Sequence, residues 1–505
     1  MMITPPKMRL DAPGAPCSNG ACCSNTGVCS YAPTSCGPDV CISNCDAKAP
    51  CGPYAEASSA ACPLKVCCSE FGFCGSTDEF CGSGCQDKYG GCGPAPKPQC
   101  EGDSTSARTI GYYESWAANR NCDKRNPEDL DLTAITHLNF AFAFFHPTTF
   151  QMMPMSAGDP ELYKRFTGLK LKKQSLQCFI SVGGWSFNDG TNVPNTRTAF
   201  SDMVSSAANR KTFIDSLSQF LNTYNFDGVD LDWEYPAAGD RGGVKADTSN
   251  FVTFLRELRA AFGGRYGISA TIPNSYWYLQ GFDVVAMQDS LDWFNLMSYD
   301  IHGVWDSTNK FTGPFIRPHT NWTEIDQGMD LLWRAGVDPS KVVLGLGWYG
   351  RSFTLSNAGC SEPNGICTFS EGGNPGECTA NPGTLSNAEL YRIIAAGGTQ
   401  QGFDPTAAVK WITWNSSQWV SYDDGETIQM KTANGNKLCL GGVMIWAIDQ
   451  DDIEGSSMNN LLGIGGANGV SAEEAANIKK QLNNADLATN IASSCYWSLS
   501  KTVLQ

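Results

Sequence analysis

FDGVDLDWEYP, residues 226–236, sets four carboxyl groups, Asp227, Asp230, Asp232 and Glu234, among strand-forming apolar residues. Side chains alternate faces along a strand, so Asp230, Asp232 and Glu234 share one face while Val229, Leu231 and Trp233 share the other. The apolar face suits packing against helices. The acidic face suits the interior of a parallel barrel near the carboxyl ends of its strands, where such folds keep their chemistry. Asp227 stands outside the alternation and is expected to order the turn with Gly228. A solvated acidic surface would not need strict period-two spacing, and burying three carboxylates without purpose is costly. A divalent cation is a sound alternative for oxygen ligands, although nothing in the stretch demands a metal. A general acid uses the crowding directly: adjacent carboxylates cannot all ionise, so a proton is retained near neutrality. Glu234, last in the series and nearest the mouth, is the expected donor.

Working outward, the runs RTIGYY, ITHLNFAFAFF, QCFISVGG, GVDLDW, GISATIP, WFNLMSYD, VVLGLGWYG and GGVMIWAI are short, apolar and bounded by Gly or polar residues. Amphipathic stretches separate most of them; KTFIDSLSQFLNTYNF places Phe213, Leu217, Phe220, Leu221 and Tyr224 at helical spacing. Eight buried parallel strands with intervening helices predict an α/β fold, a (β/α)8 TIM barrel over residues 105–462. The interval between the seventh and eighth runs is too long for one crossover, so a small α+β insertion is expected at about 353–430, including the strand-like WVSYDD. Residues 463–505 read as a linker and an exposed helix.

Of the 23 cysteines, 15 lie between Cys17 and Cys92, a density with which small secreted domains replace a core they cannot build. Adjacent pairs such as Cys22-Cys23 and Cys67-Cys68, without histidine, favour disulfides over metal ligation. The segment divides into two repeats, 17–45 and 51–92, aligned through CCSNTGVC and CCSEFGFC, followed by a linker at 93–104. The first repeat lacks the opening cysteine of the second. The opening residues MMITPPKMRLDAPGAP hold no apolar secretory core, and the cysteine total is odd with Cys495 near the end, so both termini are expected to be truncated. Cys178 is expected to be a buried thiol, and Cys360, Cys367 and Cys378 to pair within the insertion. A net charge of -16 argues against nucleic acid or an anionic membrane as partner.

FDGVDLDWE resembles the D-x-x-D-x-D-x-E signature of family-18 glycoside hydrolases, the chitinase-like enzymes. SVGGW, NLMSYD, GWYGRSF and GVMIWAIDQDD extend the resemblance in the family's order. It implies a retaining, substrate-assisted cleavage of the β-1,4 bonds of chitin, with no enzyme nucleophile and no cofactor or metal. Glu234 would protonate the glycosidic oxygen. Asp232 would orient the sugar's 2-acetamido group, and Asp230 would share a proton with Asp232. Tyr299 would hydrogen-bond the acetamido group, with Asp300 steadying that end of the site and Met297 below the sugar. Tyr112 and Ser181 would support the aspartates, Tyr349 and Arg351 would contact sugar from the rim, and Trp446 would form the floor on which the reacting ring stacks. Trp185, with Trp116 and Trp305, would extend the binding track, whereas most of Phe140, Phe142 and Phe144 are expected in the core.

The second Cys-rich repeat resembles hevein-like chitin-binding modules. In that family Ser69, Phe71, Phe73 and Phe80 would meet N-acetylglucosamine. The first repeat has Thr26 and Val28 at two of the aromatic positions and is expected to be a spacer or vestigial module. The chain as a whole is similar to secreted chitinases of filamentous fungi, implying an extracellular monomer whose partners are chitin and chitooligosaccharides. A catalytically weak chitin-binding lectin and an endo-β-N-acetylglucosaminidase acting on N-glycans are the alternatives.

Overall fold

Eight apolar runs become eight parallel strands: β1 (Thr109–Glu114), β2 (His137–Phe145), β3 (Gln177–Gly183), β4 (Gly228–Asp232), β5 (Gly267–Pro273), β6 (Trp293–Met297), β7 (Val342–Gly347) and β8 (Gly442–Trp446). Each pairs with the next in sequence, and β8 returns to β1, closing the barrel. The computed structural model describes residues 16–57, 60–464, 473–474 and 476–484; residues 1–15 and Cys495 lie outside them. Among the described residues no helix is long and apolar enough to cross a membrane.

The chain divides into two compact units, Met1–Lys97 with Asp326–Val337, and Pro98–Ile325 with Asp338–Gln505. In the second, the expected amphipathic helix runs from Ala207 to Tyr224, starting where the Ser206 side chain accepts from the Asn209 N–H and ending at left-handed Asn225. Its Phe213, Leu217 and Leu221 are fully buried. Trp233, on the outer face of the acidic stretch, stacks on Phe200 at 5.2 Å and meets Phe251 edge-on. Asp227 does more than order a turn: its carboxylate accepts from the Cys178 N–H at 2.8 Å and from Lys170 at 2.9 Å, fastening β3 at the end remote from the acids.

The insertion begins earlier and ends sooner than the expected 353–430. An antiparallel sheet starts with Tyr349–Leu355, directly after β7, and ends with Gln418–Tyr422. The following helix, Gly425–Lys437, is capped by Asp424 and leads into β8. Phe353, Phe369, Trp411 and Trp419 give the insertion its own core. Cys360 pairs with Cys367 as expected of the insertion, but Cys378 does not stay within it: it bonds to Cys122 in the loop after β1. Three thiols cannot all pair among themselves, so one must find its partner elsewhere. Cys178 is a buried free thiol. In the C-terminal tail, 473–474 and 476–484 are helical.

In the first unit, disulfides join Cys51–Cys68, Cys62–Cys74, Cys67–Cys81 and Cys85–Cys92 in the second repeat. The first repeat reproduces this with Cys17–Cys29, Cys22–Cys36 and Cys41–Cys45. Cys23, aligned with Cys68, is buried and free, since the repeat has no counterpart of Cys51.

Candidate active site

Strand register decides what surrounds the acids. Asp230 lies level with Ser181 on β3 and Ser269 on β5. The Asp230 carboxylate accepts from Tyr112 and Ser181 at 2.7 Å, from Ser269 at 2.8 Å and from the Asn295 amide at 3.0 Å. Its side chain is fully enclosed. Burial pushes its pKa up, and the four donors pull against that rise. With its oxygens occupied in this way, Asp230 is poorly disposed to ligate a cation.

Asp232, level with Gly183, has one such partner, the Thr271 hydroxyl at 2.5 Å. Burial and the neighbouring charges of Glu234 and Asp230 raise its pKa well above the usual carboxylate value. β4 stops at Asp232, so Glu234 stands just past the strand, 7 % exposed at the mouth. Its pKa is raised to about 7, first by burial, with Asp300 adding to the rise and Tyr235 and Arg241 opposing it. The crowding evident in the sequence therefore acts chiefly on Asp232, while desolvation keeps the proton on Glu234.

β6 ends at Met297, leaving Tyr299 and Asp300 on the following loop, where Asp300 adopts φ 56°. Arg351 grips the Asp300 carboxylate with Nε at 2.8 Å and Nη2 at 2.6 Å, and the Tyr349 hydroxyl donates at 2.5 Å. Desolvation, the largest single influence, would raise the Asp300 pKa; the Arg351 cation and the hydrogen bond and charge of His319 together overcome it and hold the carboxyl well below its ordinary range. Tyr299 is buried with its hydroxyl 3.7 Å from Met444 sulfur, a weak acceptor that a better one could replace. Trp446, at the end of β8, lies 5.5 Å from Tyr112 and 5.7 Å from the nearly parallel Phe142 ring, whose other neighbour is Trp116. Thus the barrel mouth combines a buried glutamate with a raised pKa, two further buried carboxyl groups and a cluster of aromatic rings.

Residues 108–451 match the family described as Glycosyl hydrolases family 18. The chain belongs to that family. It is 34% identical over 371 residues to "Chitotriosidase-1" of Mus musculus, covering 70% of this chain and 75% of that one. It is 32% identical over 363 residues to "Secreted chitinase LysM12" of Penicillium expansum, covering 68% of this chain and 23% of that protein's length. Among solved structures, catalytic domain 2 of the Ostrinia furnacalis Group II chitinase, in complex with a (NAG)5 oligosaccharide, matches with TM-score 0.63 and 26% identity, covering 70% of this chain and 96% of the other. Residues 50–94 separately match the description Chitin recognition protein.

In this family-18 chain the barrel gathers Glu234, Asp232, Asp230, Tyr112, Ser181, Met297, Tyr299, Asp300 and Trp446 at one end. Tyr349, expected at the rim, is instead only 3 % exposed, because its hydroxyl is committed to Asp300. Arg351 keeps partial exposure and lies 5.0 Å from the Trp305 ring. Trp116, Trp185 and Trp305 are exposed. Sequence reasoning missed Asn295, Ser269 and Thr271, although each is a polar residue on the inward phase of an apolar strand. Phe140, Phe142 and Phe144 are all buried, in keeping with the expectation that most of them are core, and Phe142 also lies against Trp446.

The module's expected residues are not presented together. Phe71 is exposed, but Phe80 is 4 % exposed and Ser69 2 %. The Ser69 oxygen accepts from the Phe73 N–H at 3.2 Å. Phe73 packs against Tyr31 of the first repeat at 5.4 Å, beside a small core of Cys17, Ala21, Cys23 and Ala49. The first repeat therefore partly covers one of the aromatic positions of the second.

Proposed function

We propose that this chain hydrolyses the β-1,4 bonds between N-acetylglucosamine units of chitin, outside the cell, with retention at C1. The observation that carries this reading is the buried Glu234 carboxyl just past the end of β4, its pKa raised to about 7, on the same face of the stretch as buried Asp232 and Asp230. Glu234 gives its proton to the glycosidic oxygen as the C1–O bond breaks. The acetamido oxygen of the same sugar forms the new bond to C1, and ionised Asp232 stabilises the cationic ring so formed. Water then adds to C1 as the bond from C1 to the acetamido oxygen breaks, restoring the free acetamido group, and the water gives a proton to Glu234. Asp230, pinned by four donors, keeps Asp232 in place; Tyr299 bonds the acetamido group, and Asp300 is fixed by Arg351 and Tyr349. Phe71 supplies the module's open aromatic face for chitin.

The test is hydrolysis of chitin oligosaccharides by wild type and Glu234→Gln, reading the anomer released. Loss of activity by several orders of magnitude and a retained product are expected. Undiminished activity in the variant, or an inverted product, would refute the mechanism. Retained binding of chitin with no hydrolysis by the wild type would favour the lectin reading.

A further inference from the structure

We propose that Arg241 is a positioning residue that joins the acid Glu234 to the rim tryptophan Trp185, so that sugar held on the rim and placement of the acid are coupled through one guanidinium. This rests on Glu234 being the acid. Arg241 belongs to the short turn Gly239–Arg241 after β4, yet it is 7 % exposed. Its Nε donates to the Glu234 carbonyl at 3.0 Å, and its Nη2 to the Trp185 carbonyl at 2.7 Å. The guanidinium carbon sits 3.5 Å from the Trp185 ring centroid, closer than the other cation–ring contacts of the described residues. A planar, delocalised cation can lie flat on an indole and still donate along its edges, which an ammonium cannot. Trp185 itself is 48 % exposed, so the ring remains open to a sugar face.

The surrounding loop is built to hold this arrangement. The Ala238 carbonyl accepts from the Arg241 and Gly243 N–H groups at 2.9 and 2.8 Å. Gly242 has φ +85°, and a Cβ there would come 2.4 Å from the Arg197 carbonyl oxygen, so only glycine lets the turn close. Buried Asp247 accepts from the Val244 N–H at 2.7 Å, the Ala237 N–H at 3.2 Å and the Ser201 hydroxyl at 2.6 Å. Among the described residues Arg241 forms no ion pair, and its charge acts on the carboxyls of Asp189 and Glu234. That charge opposes the upward pull of burial on Glu234. The other ionisable groups acting on Glu234 are Tyr235 next to it and Asp300 on the loop after β6; Glu234 in turn acts on Asp232, Tyr278 and Tyr299.

The experiment compares wild type, Arg241→Met, Arg241→Lys and Trp185→Ala on N-acetylglucosamine oligomers of two to six units from pH 4 to 9, with Glu234→Gln alongside. In Arg241→Met the alkaline limb of kcat/KM should move upward, because an acid without its nearby cation holds its proton longer. KM for the longer oligomers should rise a few-fold to about tenfold, the range of a lost cation–π contact. Arg241→Lys should restore the limb but not KM. A purely structural arginine would alter melting temperature and leave both readouts at wild-type values, and that result in a folded Arg241→Met would overturn the proposal. Should that variant not fold, Trp185→Ala decides: coupling requires kcat to fall as KM rises, and a KM effect alone would overturn it. Wild-type activity in Glu234→Gln would instead sink the acid assignment on which the proposal rests.

Discussion

Replacing Glu234 with Gln should stabilise the protein, and do so only above mildly acidic pH. The Glu234 pKa moves from 4.5 to about 7 on folding, largely through burial. A carboxyl with a raised folded pKa is protonated in both states below about pH 4.5, so the native state bears no ionisation cost there. Between pH 4.5 and 7 the unfolded chain releases the proton and the native state retains it, so stability falls with rising pH. Above pH 7 the loss is complete and amounts to ~3 kcal/mol, at roughly 1.4 kcal/mol per pH unit. Glutamine keeps the shape of the protonated acid without ionising. The variant and wild type should therefore run parallel near pH 4, and the variant should gain ~3 kcal/mol on wild type by pH 8. Removing the Glu234 charge also lessens the rise in the Asp232 pKa that this charge helps cause, and this acts in the same direction. Urea unfolding or thermal melts across the pH range read the difference directly. A gap that does not change between pH 4 and pH 8 would refute the buried, proton-holding acid, whatever the kinetics show.

Asn295→Leu should lose about 3 kcal/mol of stability and much of the activity, because the amide donates to Asp230 and Tyr112 at 3.0 Å and accepts from the Trp293 indole, which would be stranded; an unchanged denaturation midpoint would contradict this. Paired Cys122→Ser and Cys378→Ser substitutions open a bridge of sequence separation 256, and chain entropy sets the loss at no more than about 5.5 kcal/mol, readable as a lower melting temperature. Phe71→Ala should remove most chitin retention by the module in a pull-down while leaving hydrolysis of short soluble oligomers unaltered. Tyr31→Ala, by uncovering Phe73, should increase that retention; no change would mean that Phe73 is not withheld by the first repeat.

The barrel was legible because parallel strands buried on both faces leave short apolar runs, and the eight runs correspond to the eight strands. The acidic face was legible for a related reason, since alternation alone separates Asp230, Asp232 and Glu234 from Val229, Leu231 and Trp233. What alternation does not give is register. Ser181 and Ser269 reach Asp230 because β3 and β5 are level with it on either side, and Asn295 reaches it from β6 across the barrel interior. The Cys122–Cys378 bridge, the Tyr31–Phe73 contact and the seat of Arg241 likewise depend on where distant loops arrive.

Register also changes how the acidic stretch works. Three equally spaced carboxylates invite an equal sharing of repulsion, but the partners divide them unequally: four donors on Asp230, one on Asp232, and a backbone tie from Arg241 at Glu234. Hydrogen bonds let Asp230 bear charge in spite of burial. Asp232, poorly bonded between two acids, absorbs most of the like-charge cost and is the group whose ionisation a positive sugar intermediate would relieve. Glu234 needs only desolvation to keep its proton. Under the proposed mechanism the same spacing would yield an anchored carboxylate, a carboxylate awaiting a cation and an acid, because the barrel supplies four hydrogen-bond donors to Asp230 and one to Asp232.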